Sequence, residues 1–132
     1  MQDKLNFRES EGVVGKSAKV FVNQNPLLGE QPEYVGLRWT GKVGEDYATI
    51  SLLPNATHDG SVLALQGLQQ EGTEAAGRFL ADEENRRQLM NALGISAADS
   101  TAQDTWFEAL IRSRTVSGAP NSTTLVAVRR IR

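Results

Sequence analysis

The segment of this sequence best suited to hold a ligand is "GLQQEGTEAAGRFL", residues 67 to 80. A strand-like run ends at Gly67, a short polar loop follows, and a helix opens with small residues. Many α/β proteins present a phosphate or a nucleotide to a helix N-terminus in this way. On this interpretation, Gly67, Gly72, Thr73 and Glu74 would contact the ligand.

The same residues also have a purely structural interpretation. Thr73 is expected to be an N-cap whose hydroxyl accepts from a first-turn N–H. Glu74 lies where the helix dipole favours a carboxylate, by ~0.3–1 kcal/mol. Glu71 and Glu74 would repel a bound anion at ~4–6 Å. We therefore favour a capped helix start packed closely on a sheet, where a ligand would be neutral or cationic rather than a phosphate.

Other motifs that could support catalysis or metal binding fail on spacing. "GVVGKS", residues 12–17, resembles a phosphate-binding loop, but Ser10 stands where the motif needs its first glycine. His58 is the only histidine, so it cannot build a multi-histidine metal site. Asp59 beside it, followed by Gly60, indicates a turn. A triad of Ser61, His58 and Asp59 is not expected, because catalytic triads are assembled from separate segments. The sequence predicts no catalytic residue, no metal site and no cofactor.

Two further groups of residues could touch a partner. Tyr34, Tyr47, Trp39 and Trp106 could line a pocket, although aromatic residues in strands more often pack in a core. The basic cluster at 128–132 could touch nucleic acid or an anionic lipid surface. Arginines on a terminal strand more often mark a charged edge that resists aggregation.

Composition and charge narrow the classes of function. The 132 residues, 39% hydrophobic and 23% charged, are typical of one globular domain with a real core. The net charge of −2 predicts no general attraction to nucleic acid. The absence of cysteine excludes disulfides, iron–sulfur clusters and thiol catalysis. No stretch approaches the ~20 apolar residues of a membrane span or the apolar run of a signal peptide.

The pattern of apolar residues predicts β-hairpins at both ends of the chain and a helix pair at about 72–93 between further strands. Asp82 could cap a second helix, so residues 72–93 would form one helix or two abutting ones, and Gly94 is expected to be the C-terminal cap. The order of strands, helices and strands predicts a layered α/β domain. In it a mixed, largely antiparallel sheet carries the helix pair, within a single domain over 1–132.

Two strands carry more specific expectations. The short apolar run at 61–68 is typical of a central strand that is buried on both faces. Strict alternation in the last strand would place Leu125, Ala127 and Arg129 on one face. The other face would then carry Val126, Val128 and Arg130.

Several stretches together resemble a known family. They are "LNFR", "VNQNPLLGE", "YATISLLPN" with "GSVLALQGLQQEGTEAAGRFL", and the closing "FEALIRSRTVSGAPNSTTLVAVRRI". They are similar to an uncharacterised family of bacterial extracytoplasmic domains, which commonly follow a cytoplasmic DNA-binding or signalling segment and one transmembrane helix. Members of that family carry a further strand and an Asn-Pro loop before "LNFR", so this chain is expected to lack the N-terminal strand of the complete domain.

The resemblance implies a location and a sensory context rather than a mechanism. The extracytoplasmic side of a bacterial membrane is favoured, with the cytoplasm as the alternative, and any membrane contact would use a segment outside this chain. We expect a noncatalytic domain that senses a small molecule or binds another protein. The first alternative is an assembly module that pairs through a sheet edge, with a neighbour or with a missing N-terminal segment. A small hydrolase or transferase ranks last.

Overall fold

The structure, a computed structural model, describes residues 5–11, 19–35, 43–54, 57, 60–68, 70–94, 106–116 and 119–131. Within these ranges the chain forms seven strands and two helices. In chain order they are β1 (Phe7–Glu11), β2 (Lys19–Asn23), β3 (Glu33–Val35), β4 (Val43–Pro54), β5 (Ser61–Gly67), α1 (Gln70–Ala81), α2 (Glu83–Leu93), β6 (Trp106–Val116) and β7 (Ala119–Ile131).

A four-stranded antiparallel sheet, in the order β5-β4-β6-β7, forms the middle layer. Residues along each strand alternate between its two faces. Ala48 and Ile50 of β4, with Ala109 and Ile111 of β6, point to the helices and form one hydrophobic core with them. The central strands are therefore covered on both sides, which explains their apolar character on both faces.

A three-stranded antiparallel sheet, β1-β2-β3, packs on the opposite face of the middle layer. Phe7, Phe21 and Tyr34 form a second core with Leu110 and Ala127 of the larger sheet. The layered α/β class and both terminal hairpins are confirmed, and every described strand pairing is antiparallel, so neither sheet is mixed. The strands divide between two sheets, so the fold has three layers: sheet, sheet and helices.

Two of the aromatic residues are core partners across the two sheets. The rings of Tyr34 and Tyr47 lie with centroids 5.2 Å apart and planes tilted by 53°. Tyr34 is buried and Tyr47 is partly buried against the same core. Trp106 is half-buried at the start of β6, and Trp39 lies outside the described residues.

The helix pair and its predicted caps are confirmed. Asp82 separates α1 from α2, and its carboxylate accepts from the Asn85 N–H at 3.0 Å. Gly94 ends α2, and its N–H donates to the Asn91 carbonyl at 3.0 Å. The helices place four buried apolar side chains on the sheet: Ala76, Phe79, Leu89 and Leu93.

The position of β5 corrects one prediction. β5 is an edge strand of the four-stranded sheet, and residues 61–64 are exposed. Val62 and Leu63, on opposite faces, are 48% and 50% exposed. The prediction of a central strand buried on both faces is wrong. An apolar run does not show whether another strand pairs alongside it or whether other layers cover its faces.

A β-bulge in β7 corrects a second prediction. The pairing with β6 passes from Leu125 to Ala127, so Val126 is an extra residue in the ladder. A bulge interrupts the alternation of side chains. Leu125 therefore packs with Val128 in the core beneath the helices, whereas Val126 and Ala127 belong to the core between the sheets. The prediction that Leu125 and Ala127 share a face is wrong.

Candidate functional site

The helix start predicted as a ligand site is tied to the sheet by a hydrogen bond. Gly67 ends β5, and Gly72, Thr73 and Glu74 lie near the start of α1. The Thr73 hydroxyl accepts from the Gly67 N–H at 3.0 Å. The prediction that Thr73 is the N-cap is wrong, because α1 begins at Gln70 and the hydroxyl bonds the strand.

Gly72 is the point of closest approach between α1 and the sheet. A Cβ added to Gly72 would lie 2.5 Å from Oδ2 of Asp46 and 2.9 Å from the Tyr47 carbonyl oxygen. Asp46 is buried, and its Oδ1 accepts from the Tyr47 N–H at 2.9 Å. The small residue is therefore needed for packing, since any side chain would displace the carboxylate or the strand.

Glu74 points away from this contact. Its carboxylate pairs with Arg78 one turn later, at 2.9 Å, and both side chains are about half exposed or more. Such i, i+4 pairs stabilise a helix by ~0.2–0.5 kcal/mol. The side chain of Glu71 lies outside the described part of the chain. Glu74 thus belongs to a solvated helix face.

A buried hydroxyl lies in the layer beneath α1. Ser113 of β6 is directly opposite Asp46 in the strand register. Both lie on the helix-facing side, since Ala48 and Ile111, two residues away, pack in the core beneath the helices. Ser113 is fully buried, and within the described ranges its Oγ has no hydrogen-bond partner.

Charge at this helix start disfavours an anionic ligand. The Asp46 carboxylate lies against the first turn of α1, where the helix dipole stabilises a negative charge. An incoming phosphate would have to displace Asp46 and approach Glu74. The ligand role of Gly67, Gly72, Thr73 and Glu74 stays a prediction, restricted to neutral or cationic groups.

A network of buried polar side chains, which the sequence analysis missed, joins the two sheets. Glu108 of β6 is 1% exposed. Its two carboxylate oxygens accept from the backbone N–H groups of Asn6, at 2.7 Å, and Phe7, at 2.8 Å. Burial raises the pKa of Glu108, against the opposing effect of these hydrogen bonds. Glu108 therefore anchors the start of β1 to the middle layer.

Arg129, opposite Glu108 on β7, extends the network to the loop between β2 and β3. Its guanidinium forms a bidentate ion pair with Glu30, with Nη1 at 2.8 Å from Oε2 and Nη2 on Oε1. It also donates to the Asn25 carbonyl at 3.1 Å and lies over the Phe7 ring. The hydrogen bond from Arg129 holds the pKa of Glu30 at about 2, despite the opposing effect of burial.

Asn23 completes the attachment of this loop. The side chain is buried, and its Nδ2 donates to Glu30 Oε1 at 2.9 Å and to the Gln31 carbonyl at 3.1 Å. Its Oδ1 accepts from the side-chain Nδ2 of Asn6 at 2.7 Å. The Leu27 N–H donates to Glu30 Oε1 at 3.1 Å. The backbone of residues 24–32 is therefore held from within by polar contacts.

Two leucines project from the tip of this loop, which we call the Leu27–Leu28 loop (residues 24–32). The Glu30 N–H donates to the Leu27 carbonyl at 2.9 Å, closing a four-residue turn. Gly29 has φ 86°, the left-handed value that the third position of a type II turn requires. Leu27 is 51% exposed and Leu28 is fully exposed at 105%. The polar network thus holds two apolar side chains in water.

One sequence signal could have revealed this network. Glu108 interrupts the apolar run of residues 106–111, and a charge in a central strand requires a partner. Arg129 and Arg130 were interpreted together as an exposed edge cluster. β7 is an edge strand and Arg130 is exposed, but the side chain of Arg129 is only 15% exposed and is paired with Glu30.

Among the described residues, no group of three or more His, Cys, Asp and Glu side chains could hold a metal ion. None of the described helices is long and apolar enough to cross a membrane. His58, Asp59 and the 12–17 segment lie outside the described residues.

Comparisons with known proteins suggest no function for this chain, so its function is inferred from the geometry. No family model matches the chain, and no curated protein or solved structure is significantly similar to it. The two features to be explained are therefore the closely packed helix start and the Leu27–Leu28 loop.

We expect Gly72→Ala to lower the free energy of unfolding by about 1–3 kcal/mol, because the methyl group would overlap Asp46 and the Tyr47 carbonyl. Gly77→Ala is the matched control in the same helix, where an added Cβ meets nothing within 4 Å. The control should stabilise the protein by ~0.5–1 kcal/mol through helix propensity. Urea denaturation measures both variants, and equal effects would contradict the close approach at Gly72.

Ser113→Ala should raise the free energy of unfolding by about 1 kcal/mol, because it removes a buried hydroxyl without a partner. Thr73→Val provides the contrast, since it removes a hydroxyl that accepts from the Gly67 N–H. We expect it to lower stability by about 1 kcal/mol. Chemical denaturation of both variants tests the sign, and a destabilised Ser113→Ala would show that this hydroxyl has a partner.

The low pKa of Glu30 predicts a specific loss of stability in acid. The value falls from 4.5 in an unperturbed glutamate to about 2 in the folded protein. The resulting stabilisation is present above about pH 4.5 and disappears as the pH falls to about 2, a change of about 3 kcal/mol. In Glu30→Gln this dependence of stability on pH should be absent. The free energies of unfolding of the wild type and the variant should therefore converge near pH 2.

Denaturation in urea from pH 7 to pH 2 measures this difference. The raised pKa of Glu108 acts with the opposite sign, but it is present in both proteins and largely cancels in the comparison. Glu74→Gln, which breaks an exposed ion pair by the same chemical change, is the control and should shift stability by less than ~0.5 kcal/mol. Parallel profiles for wild type and Glu30→Gln would contradict a protected ion pair.

Proposed function

We propose that this chain is a noncatalytic protein-interaction domain that presents the Leu27–Leu28 loop to an apolar pocket of a partner protein. The observation that carries this proposal is the combination of two exposed leucines with a backbone fixed by Asn23, Glu30 and Arg129. Single exposed leucines are ordinary on protein surfaces. An apolar turn apex that partly buried charges hold in place is not explained by folding alone.

The energetics suit a binding role. Burying a leucine side chain contributes about 1.5–3 kcal/mol, so the two together can supply a large part of a micromolar affinity. A loop already held in its binding conformation has little conformational freedom left to lose on association. The polar groups behind it are already satisfied, so docking the leucines leaves no buried donor or acceptor without a partner.

The same contacts weigh against an enzyme. Both oxygens of Glu108 accept backbone N–H groups, and both oxygens of Glu30 are bound to Arg129. A carboxylate whose oxygens are engaged in this way positions backbone and is poorly placed to exchange protons with a substrate. Glu74, the carboxylate of the predicted ligand site at the helix start, is paired with Arg78 on a solvated surface.

The resemblance noted in the sequence adds a context to the proposal. A domain of that kind would serve a membrane-linked bacterial signalling protein on the extracytoplasmic side, and the partner would be another protein of that compartment. Sensing of a small molecule is the second form of the proposal. It draws on the neutral or cationic ligand expected near Gly67 and Gly72.

Site-specific photocrosslinking in the source organism tests the interaction. A photoreactive residue at position 28 should give a discrete adduct with one protein, and Leu27→Ser in the same chain should weaken that adduct. The matched control carries the probe at Arg78, exposed on α1. Leu28→Ser should leave the thermal midpoint unchanged, because the side chain is fully exposed. No discrete adduct from position 28, or the same adducts from position 78, would contradict the proposal.

A further inference from the structure

The β5 edge of the four-stranded sheet lacks the features that normally keep sheet edges apart. Edge strands are usually protected by charged side chains, prolines, bulges or short length. The β5 sequence, "SVLALQG", contains no charged residue and no proline. Its pairing with β4 is unbroken from Pro54↔Ser61 to Ala48↔Gly67. This strand is regular, and it exposes Val62 on one face and Leu63 on the other.

The other edges of the two described sheets are protected. β7, at the far edge of the same sheet, has two register shifts, contains Pro120 and carries Arg130 on its exposed surface. β1 contains Arg8, Glu9 and Glu11 among its five residues. β3 is only three residues long. The contrast indicates that the open β5 edge is a specific feature of this sheet.

The hydrogen-bond pattern shows which backbone groups of β5 face outward. The Leu68 N–H donates to the Tyr47 carbonyl at 3.0 Å, so this pair bonds across the ladder. Bonded pairs alternate in an antiparallel ladder. The backbone groups of Leu63, Leu65 and Gly67 therefore point away from β4. The Gly67 N–H already donates to Thr73, which agrees with this assignment.

Leu63 and Leu65 are therefore the residues that can extend the sheet. No backbone or side-chain partner of their outward groups lies among the described residues. Thr73 closes the edge at Gly67, so the open stretch runs from Ser61 to Leu65. An incoming strand must match this short stretch, which limits the registers available to it.

We infer that a second copy of this chain pairs with β5 in antiparallel orientation, centred on Leu63. This register places Leu63 opposite the second copy's Leu63, Val62 opposite its Ala64, and Ser61 opposite its Leu65. Residues that face each other across an antiparallel pair lie on the same side of the sheet. Apolar side chains then meet on both faces, no like charges oppose each other, and the outward groups of Leu63 and Leu65 are satisfied.

Symmetry supports a second copy as the occupant. A two-fold axis normal to the sheet relates two such strands and gives a closed, self-complementary pair. The two four-stranded sheets become one continuous sheet, with both helix pairs on the same side of it. The pair buries the half-exposed Val62 and Leu63 of each copy. This inference is independent of the Leu27–Leu28 loop, which uses other residues.

Sedimentation velocity with charge exchange at position 63 tests the pairing. The wild type should approach the mass of two chains as its concentration rises to about 1 mM, since so small an interface gives weak association. Leu63→Lys and Leu63→Glu should each raise the dissociation constant at least about tenfold, because like charges then face each other across the axis. An equimolar mixture of the two variants should restore pairing, because residue 63 faces its own copy.

The matched control is Leu28→Lys, which places the same charge on a fully exposed leucine away from β5 and should pair as the wild type does. Urea denaturation at low concentration checks that both variants at position 63 remain folded, as expected for a half-exposed edge residue. A wild type that stays monomeric throughout, or a mixture that fails to pair, would overturn the inference. Neither outcome bears on crosslinking at position 28, so this test and that of the proposed function fail separately.

Discussion

The partly buried ion pair between Glu30 and Arg129 is the charged contact that joins the smaller sheet to the larger one. Arg129 stands on β7 of the four-stranded sheet, whereas Glu30 lies in the loop that joins β2 to β3. Removing two charges from water is unfavourable unless the geometry is good and the remaining groups are satisfied. Here the pair is bidentate, and further groups of the same loop bond to it. It therefore fixes the position of the loop, and it stabilises the folded protein as long as Glu30 is ionised.

Arg129 favours the ionised form of both carboxylates beside it, but their pKa values shift in opposite directions because burial outweighs this effect at Glu108. Glu30 bonds the guanidinium directly and its pKa is lowered, whereas Glu108 is held by backbone N–H groups and burial raises its pKa. Arg129 thus keeps Glu30 ionised, whereas the unfavourable desolvation of the charged form falls mainly on Glu108. Glu30 fixes the loop and Glu108 fixes the start of β1. The charged groups around Arg129 therefore organise the β7 end of the interface between the sheets.

Local sequence patterns predicted the features that depend on neighbours in the chain. Alternation gave the hairpins, and Asp82 and Gly94 marked the ends of α2 because capping involves residues three or four positions apart. Small residues predicted that the start of α1 packs closely on the sheet, but the contact of Gly72 with Asp46 and Tyr47 of β4 was not predicted. Tertiary contacts decide whether a strand lies at the edge or in the centre of its sheet. They also decide the bulge at Val126 and the pairing of Glu30 with Arg129, 99 positions apart. No local pattern encodes them.

The two apolar surfaces lie at opposite edges of the middle layer, and this separation has a consequence. The Leu27–Leu28 loop contacts β7 through Arg129, while the open edge is β5, with β4 and β6 between them. A pair formed through β5 would keep both loops exposed. Two loops fixed on one continuous sheet would present two equivalent apolar projections at a set spacing. Such an arrangement raises the avidity for a partner with repeated sites without any new contact in the loop itself.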